Sequence, residues 1–235
     1  STLEDGYGIN IMPLAAFAME TYKDDPCEEF EPKVIGKKAD DRKMTRLTAQ
    51  MHKAISVLQF KAEAEIIQRH PIWNMDDRCM LNFIDYKNGT ITIDGKQYPL
   101  KSNHFPTVNP DNPSAYSDEE ALLVKRLRHS FKMSGKLSKH IHEMLSHGSM
   151  YQVCNGNLLY HAAIPLNDDG SLKTVEIHPG QGYKGRDLLE AIDQTIRTAF
   201  QPDADSEEKL FARDFFLYLW CGPDSPLFNK AMMAT

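Results

Sequence analysis

Residues 150–166 read MYQVCNGNLLYHAAIPL, and this stretch decides the class of fold. Two short apolar runs, Met150 to Cys154 and Leu158 to Ile164, lie on either side of Asn155 and Gly156. Asn-Gly between two apolar runs indicates a hairpin, because both residues accept the positive φ of a tight turn. The stretch therefore predicts β structure in the second half of the chain.

More strands are predicted on both sides of this stretch. Leu172 to Ile177 follows the turn sequence Asn167-Asp168-Asp169-Gly170 and extends the sheet region. Upstream, alternating apolar residues surround Asn88-Gly89 and Asp94-Gly95, which predicts two hairpins in a small β meander. The meander strands are expected at Met80–Tyr86, Thr90–Ile93 and Gln97–Leu100.

Amphipathic helices are predicted elsewhere by apolar residues at intervals of three or four. Ser117 and Glu120 form a capping box that begins one of them, and Gly135 separates it from the next. The helices are expected at 11–22, from 40 to just before Pro71, at 117–134, 137–147 and 188–200, and behind the cap Ser206 at 206–219. The apolar face of the longest is expected at Met44, Leu47, Met51, Ile55, Leu58, Ala62 and Ile66. Helices and strands together predict an α+β or α/β fold.

Composition excludes several functions. A net charge of -6 and a pI of about 5.8 give no basic surface for nucleic acid or an anionic membrane. No apolar run approaches the roughly 20 residues of a membrane span, and residues 1–10 show no signal pattern, so a cytoplasmic location is expected. Four scattered cysteines form no C-x-x-C pair and are expected to be reduced packing residues.

His161 is the main chemical candidate, because it follows an apolar strand and precedes Pro165, which ends regular pairing. A neutral imidazole at a strand end can bind a divalent metal ion. The alternative is a buried, hydrogen-bonded histidine with no ligand. The histidines at 140, 142 and 147 are spaced along a helix so that their side chains do not converge, and no metal site is expected there.

Gly180, Gly182 and Gly185 precede a predicted helix, with Lys184 and Arg186 beside them. Helix N-terminal amides and two cations can contact a phosphate. The alternative is a plain glycine turn with exposed basic residues. Adjacent acidic pairs, such as those at 24–25, 40–41 and 119–120, are explained by helix caps and solvation, and no catalytic role is expected for them.

Five segments together resemble the bacterial class III fructose-1,6-bisphosphatases, in matching order and over nearly the whole chain. They are YGINIMPLAAFA, HKAISVLQFKAEAEII, GSMYQVCNGNLLYHAAIPLNDDGS, YKGRDLLEA and YLWCGPDSPLFNKAMMAT. The resemblance implies a part of a calcineurin-like phosphoesterase sandwich. Residues 1–148 would be a helical insertion with a meander at about 79–100, residues 149–182 core strands, and residues 183–235 packing helices and a loop.

By this resemblance His161 becomes a metal ligand, and Lys184 and Arg186 become candidates to contact the substrate phosphate. The implied reaction is metal-dependent hydrolysis of fructose 1,6-bisphosphate to fructose 6-phosphate and phosphate, in gluconeogenesis, with two divalent ions, manganese by preference. The other ligand motifs of that superfamily are absent between residues 1 and 235, so a middle fragment, inactive alone, is expected. A non-catalytic scaffold or regulatory interaction module stays open, as does a homo-oligomer.

Overall fold

The computed structural model describes residues 2–33, 42–202, 206–228 and 230, which form helices and small antiparallel sheets. The mixed architecture confirms the α+β class. The helices are α1 Met12–Thr21, α2 Arg42–Arg69, α3 Asp118–Lys132, α4 Gly135–His147, α5 Gly185–Thr198 and α6 Ser206–Cys221. The strands are β1 Ile84–Asp85, β2 Thr90–Ile93, β3 Lys96–Pro99, β4 Tyr151–Cys154, β5 Asn157–Tyr160, β6 Val175–His178 and β7 Gln181–Tyr183.

The chain separates into two compact units. The first unit comprises Ser1–Glu65 and Cys79–His140, and the second unit comprises Ile66–Arg78 and Ile141–Thr235. The division at residues 148 and 182 that was expected from the sequence stays a prediction. The expected helix start at 40 and the acidic pair at 40–41 lie outside the described residues.

The first unit contains the predicted meander, with strand order β1-β2-β3 and antiparallel pairing throughout. Asp94 and Gly95 both have positive φ, at 50° and 71°, as the two-residue turn requires. The connection between β1 and β2 is a four-residue loop, which is longer than the predicted tight turn. Asp85 closes this loop by accepting hydrogen bonds from the amides of Lys87 and Asn88. The predicted strand at Met80–Phe83 is wrong, since these residues form a 3₁₀ helix.

Helices α1, α2 and α3 form the core of the first unit. The capping box is confirmed, with Ser117 Oγ accepting from the amide of Glu120 at 3.2 Å and the Ser117 amide donating to Glu120 at 2.8 Å. This cap fixes where α3 begins and which of its faces meets the core. The buried core residues are Leu14, Ala18, Tyr22, Cys27, Ala49, Ala54, Leu58 and Leu123.

The predicted apolar face of α2 is confirmed in part, since Leu58 is buried and Met51 packs against the core of the first unit. Met44 and Ile55 are exposed, whereas Lys53 and Lys61 are completely buried. The buried face is rotated from the predicted one because each lysine has an acidic partner in the interior, so that the lysine positions count as core positions. Leu58 is buried and belongs to both the predicted apolar face and the observed buried face.

The second unit contains two separate two-stranded sheets, β4-β5 and β6-β7, with α5 and α6. The predicted strand at Leu158–Ile164 is shorter than expected, and β7 was not predicted. Buried residues of α5 and α6 supply much of the unit's core, including Leu188, Ile192 and Phe215. Cys221 is buried as predicted, and so are Cys27 and Cys79 in the first unit. Cys154 is exposed, so the packing role predicted for it is wrong.

Among the helices of the described residues, none has the length and apolar composition needed to cross a membrane.

Candidate metal-binding segment

The hairpin β4-β5 places the candidate metal ligand. Asn155 and Gly156 occupy the turn with φ values of 51° and 77°, and Cys154 pairs with Asn157. Both turn residues thus adopt the left-handed conformation that Asn-Gly tolerates well. Because the register is fixed by this turn, the last pair of the ladder is Tyr151 with Tyr160, and the chain leaves the sheet immediately before His161.

Two contacts hold the segment that follows His161. The amide of Ala163 donates to the carbonyl oxygen of Pro226 at 3.1 Å, and the amide of Lys173 donates to the carbonyl oxygen of Pro165 at 3.0 Å. The Lys173 ammonium also pairs with Asp224 at 2.6 Å. The strand exit at His161 is therefore connected to the loop that follows α6.

His161 itself is exposed, and no hydrogen bond or ion pair joins it to another residue in the part of the chain that the structure describes. Both ring nitrogens are available to an external ligand, which fits one ligand of a metal site. Within residues 2–33, 42–202, 206–228 and 230, no three His, Cys, Asp or Glu side chains form a metal cluster. His161 can supply one ligand of such a site, and its role stays a prediction.

Lys184 and Arg186 differ in their availability to a phosphate. The Arg186 guanidinium donates to Glu190 at 2.7 Å and lies over the ring of Tyr151, whose hydroxyl donates to the same carboxylate at 3.0 Å. The hydrogen bond between Arg186 and Glu190 raises the pKa of the Arg186 guanidinium and lowers the pKa of the Glu190 carboxyl group. Lys184 is exposed and has no such partner among the described residues. Their substrate contacts stay predictions.

The three histidines of α4 are all exposed on the helix surface. The hydroxyl of Tyr7 lies 3.1 Å from Nδ1 of His140, and Nδ1 of His147 lies 3.4 Å from a carboxylate oxygen of Glu143. His142 is exposed. These contacts are typical of residues on a helix surface.

A buried charged cluster around Lys53 was not predicted from the sequence. The Lys53 ammonium donates to Asp25 Oδ2 at 2.6 Å and to the hydroxyl of Ser102 at 3.0 Å, and His104 Nδ1 lies 3.0 Å from the same carboxylate oxygen. Burial raises the pKa of Asp25, but hydrogen bonds from Lys53, the Cys27 amide and His104 outweigh it and lower that pKa to about 2. The cluster is therefore an ionised structural network.

A second buried pair joins Lys61 of α2 to Glu120 of α3. The Lys61 ammonium donates to Glu120 Oε2 at 2.6 Å and to the carbonyl oxygen of Thr107 at 2.8 Å. The same carboxylate oxygen accepts from the Ser117 amide, so the capping box and the ion pair share one group. The only sequence signal for these pairs is the spacing of Lys53 and Lys61 by eight residues, which places them on one face of a helix.

The second unit holds a further acidic centre at Asp214 of α6. Arg69 donates to both carboxylate oxygens, at 2.9 and 3.0 Å, and His70 Nε2 lies 2.9 Å from Oδ2. The His70 ring stacks on Trp73 at 4.1 Å between centroids. Burial also lowers the pKa of His178, another histidine of the second unit. Two-point pairing of this kind fixes an arginine in position.

An apolar groove of about 610 Å³ also lies in the second unit. Met144 and Trp220, which line it, are both exposed by more than two thirds. The guanidinium of Arg197 beside them is engaged by the carbonyl oxygens of Leu145 and Gly148, at 2.5 and 2.9 Å. Among the described residues that line it, the groove therefore offers an apolar surface and no free cation for a sugar phosphate.

The family described as Firmicute fructose-1,6-bisphosphatase matches residues 1–235. The chain belongs to the Firmicute fructose-1,6-bisphosphatase family. A class 3 fructose-1,6-bisphosphatase of Parabacteroides distasonis is 55% identical over 236 residues, covering 100% of this chain and 35% of the relative. Relatives of the same name from Bacteroides fragilis and Clostridium novyi are 52% and 48% identical, again over 100% of this chain and 35% of their own length.

The resemblance expected from the sequence is thus confirmed. The chain spans about a third of the length of these bisphosphatases, which is consistent with a partial enzyme. No solved structure matches the chain.

Proposed function

We propose that this chain forms part of a metal-dependent fructose-1,6-bisphosphatase, which hydrolyses fructose 1,6-bisphosphate to fructose 6-phosphate and phosphate. Membership of the bisphosphatase family over residues 1–235 supports the reaction. The structural observation that carries the proposal is His161, exposed and without a partner among the described residues, at the exit of β5. The reaction would belong to gluconeogenesis and take place in the cytoplasm.

The exposed hairpin supports a finer proposal about the fold. All four residues of β5 are exposed, although Leu158, Leu159 and Tyr160 are apolar or aromatic. An isolated two-stranded sheet is at best marginally stable in water, and apolar residues on an open sheet favour further packing. We propose that β4-β5 belongs to a larger calcineurin-like sandwich in the complete enzyme, with residues 1–148 as its helical insertion and residues 183–235 packing around the core strands.

In this site His161 would bind one of two divalent ions through a neutral ring nitrogen. Mn²⁺ is the ion that the resemblance implies, and imidazole with carboxylate ligands would also accept zinc, iron or cobalt. Such a pair of ions supplies an activated water and neutralises charge on the phosphate. The chain's own contribution is positional, because the Asn-Gly turn fixes the register that delivers His161 and the contact from Ala163 to Pro226 holds the segment after it. Lys184 would contact a phosphate oxygen of the sugar bisphosphate.

The test is His161→Ala in the complete polypeptide. Loss of a direct metal ligand should lower kcat/KM for fructose 1,6-bisphosphate by ~100-fold or more and lower the bound manganese per subunit. His142→Ala is the matched control, because His142 is exposed on a helix and its side chain is not assigned to the site. The control should keep both activity and metal content.

Unchanged metal content and activity in His161→Ala would overturn the assignment of His161. Residues 1–235 alone should show no turnover and weak Mn²⁺ binding, whereas tight binding of two ions by this chain would contradict the account of a partial site. If the chain is instead a non-catalytic interaction module, it should form a defined oligomer or bind an effector without metal. In that case, changing His161 should not reduce turnover by the complete protein.

A further inference from the structure

A cavity of about 410 Å³ in the first unit lies along one face of α3. It is lined by three cations, Lys125, Arg128 and Lys132, which are all exposed. Their spacing by three and four residues places them on one face of the helix. The remaining lining residues are Glu65, Tyr116, Ala121, Val124 and His129.

These three cations are unpaired in the part of the chain that the structure describes. No hydrogen bond or ion pair joins Lys125, Arg128 or Lys132 to any residue of the ranges that the structure describes. Along the chain, the positions three and four residues before and after each of them are apolar, basic, glycine or histidine. In the second unit, by contrast, the exposed Arg186 pairs with Glu190, four residues further along its helix.

The arrangement works against the stability of the helix. Lys125 and Arg128 are three residues apart and Arg128 and Lys132 are four apart, so like charges are neighbours on the helix surface and repel each other. The helix dipole accounts for a cation in the last turn, where Lys132 lies, but not for Lys125 or Arg128. In a chain of net charge -6, a local excess of positive charge of this kind attracts an anion.

We propose that this face of α3 binds a phosphorylated small molecule that carries two or more negative charges. Arginine and lysine are the residues that hold phosphate oxygens, and the cavity has the volume of a small-molecule site. Tyr116, Ala121 and Val124 give it a partly apolar wall against which a ring or an aliphatic portion of the ligand packs. The acidic chain as a whole disfavours a polyanion such as nucleic acid.

This site is independent of the proposed metal site and of His161. It takes the anion directly through charged side chains, so binding needs no divalent ion. Binding would also relieve the repulsion among Lys125, Arg128 and Lys132, and the ligand should therefore stabilise α3.

Titration of the chain with inorganic pyrophosphate in EDTA, by calorimetry and by NMR of the α3 amides, tests the proposal. We expect one saturable site, shifts of the α3 resonances and a higher unfolding midpoint. The variant Lys125→Gln/Arg128→Gln/Lys132→Gln keeps good helix formers and should weaken binding by about tenfold or more. The variant Lys96→Gln/Lys101→Gln/Lys139→Gln removes the same charge from exposed positions outside the cavity and should leave the affinity nearly unchanged.

Absence of saturable binding would overturn the proposal. Equal weakening by both triple variants would also overturn it, because the affinity would then follow net charge and not this cavity. The His161→Ala variant separates the two sites, since it should still bind pyrophosphate in EDTA with the affinity of the unaltered chain. Loss of binding in His161→Ala with retention in the α3 variant would assign the anion to the proposed catalytic segment instead.

Discussion

Two ion pairs of nearly equal length, one in each unit, show that the effect of an ion pair depends on its burial. In the first unit, Lys61 and Glu120 lie 2.6 Å apart with side-chain exposures of 0% and 1%. In the second unit, Arg186 and Glu190 lie 2.7 Å apart with exposures of 75% and 50%. A distance alone therefore does not rank them. The buried pair has lost its hydration and depends on its partner, whereas the exposed pair is screened by water and salt.

The largest effect is expected from Lys61→Met, which leaves Glu120 buried without its cation. Breaking a buried pair from one side costs about 3–5 kcal/mol in free energy of unfolding. Both tryptophans, Trp73 and Trp220, belong to the second unit, so the first unit is best followed by hydrogen exchange of the α3 amides in urea. A loss no larger than that of a surface pair, at most about 1 kcal/mol, would contradict the buried placement.

The double variant Lys61→Met/Glu120→Gln is the control for that experiment. Glutamine removes the uncompensated charge but keeps a carbonyl oxygen to accept from the Ser117 amide, so the cap is retained. Most of the lost stability should return. Failure to recover it would assign the loss to packing of the methionine and not to the isolated carboxylate.

An intermediate effect is expected from acid at the Lys53 cluster. The folded-state pKa of Asp25 is about 2 against an ordinary value of 3.8, so the folded protein holds fewer protons than the unfolded chain between these values. The stability from this group is present above about pH 4 and is lost as the pH falls towards 2, by about 2 kcal/mol in all. The slope of unfolding free energy against pH in this window should be shallower in Asp25→Asn. An identical slope in that variant would refute the shifted pKa.

The smallest effect is expected from Arg186→Gln in the second unit. Because both partners are exposed, the unfolding midpoint followed by tryptophan fluorescence should not change measurably at physiological salt. A clear fall in the midpoint would mean that the contact with Tyr151 and Glu190 organises the start of α5, and the contrast with the first unit would then weaken.

Local signals in the sequence predicted much of the fold. The capping box Ser117–Glu120, the turn Asp94-Gly95 and the hairpin turn Asn155-Gly156 each depend on neighbouring residues, and the structure confirms all three. The register that delivers His161 to the strand exit follows from the last of them. Such features need no information from distant parts of the chain.

Features that depend on distant partners were missed. The face of α2 was misplaced in part, because Lys53 and Lys61 read as solvent positions, and only Asp25 and Glu120, 28 and 59 residues away, make their burial favourable. Met80–Phe83 form a 3₁₀ helix, but their alternating apolar pattern also suits a strand, so a strand was predicted there.

The exposed thiol of Cys154 has a practical consequence. The chain's other three cysteines are buried, so a maleimide dye or a nitroxide should attach to β4 alone without any engineered residue. That label would sit on the hairpin that ends at His161, and Mn²⁺ is paramagnetic. The natural sequence thus already provides a spectroscopic reporter beside the segment where a metal ion is expected.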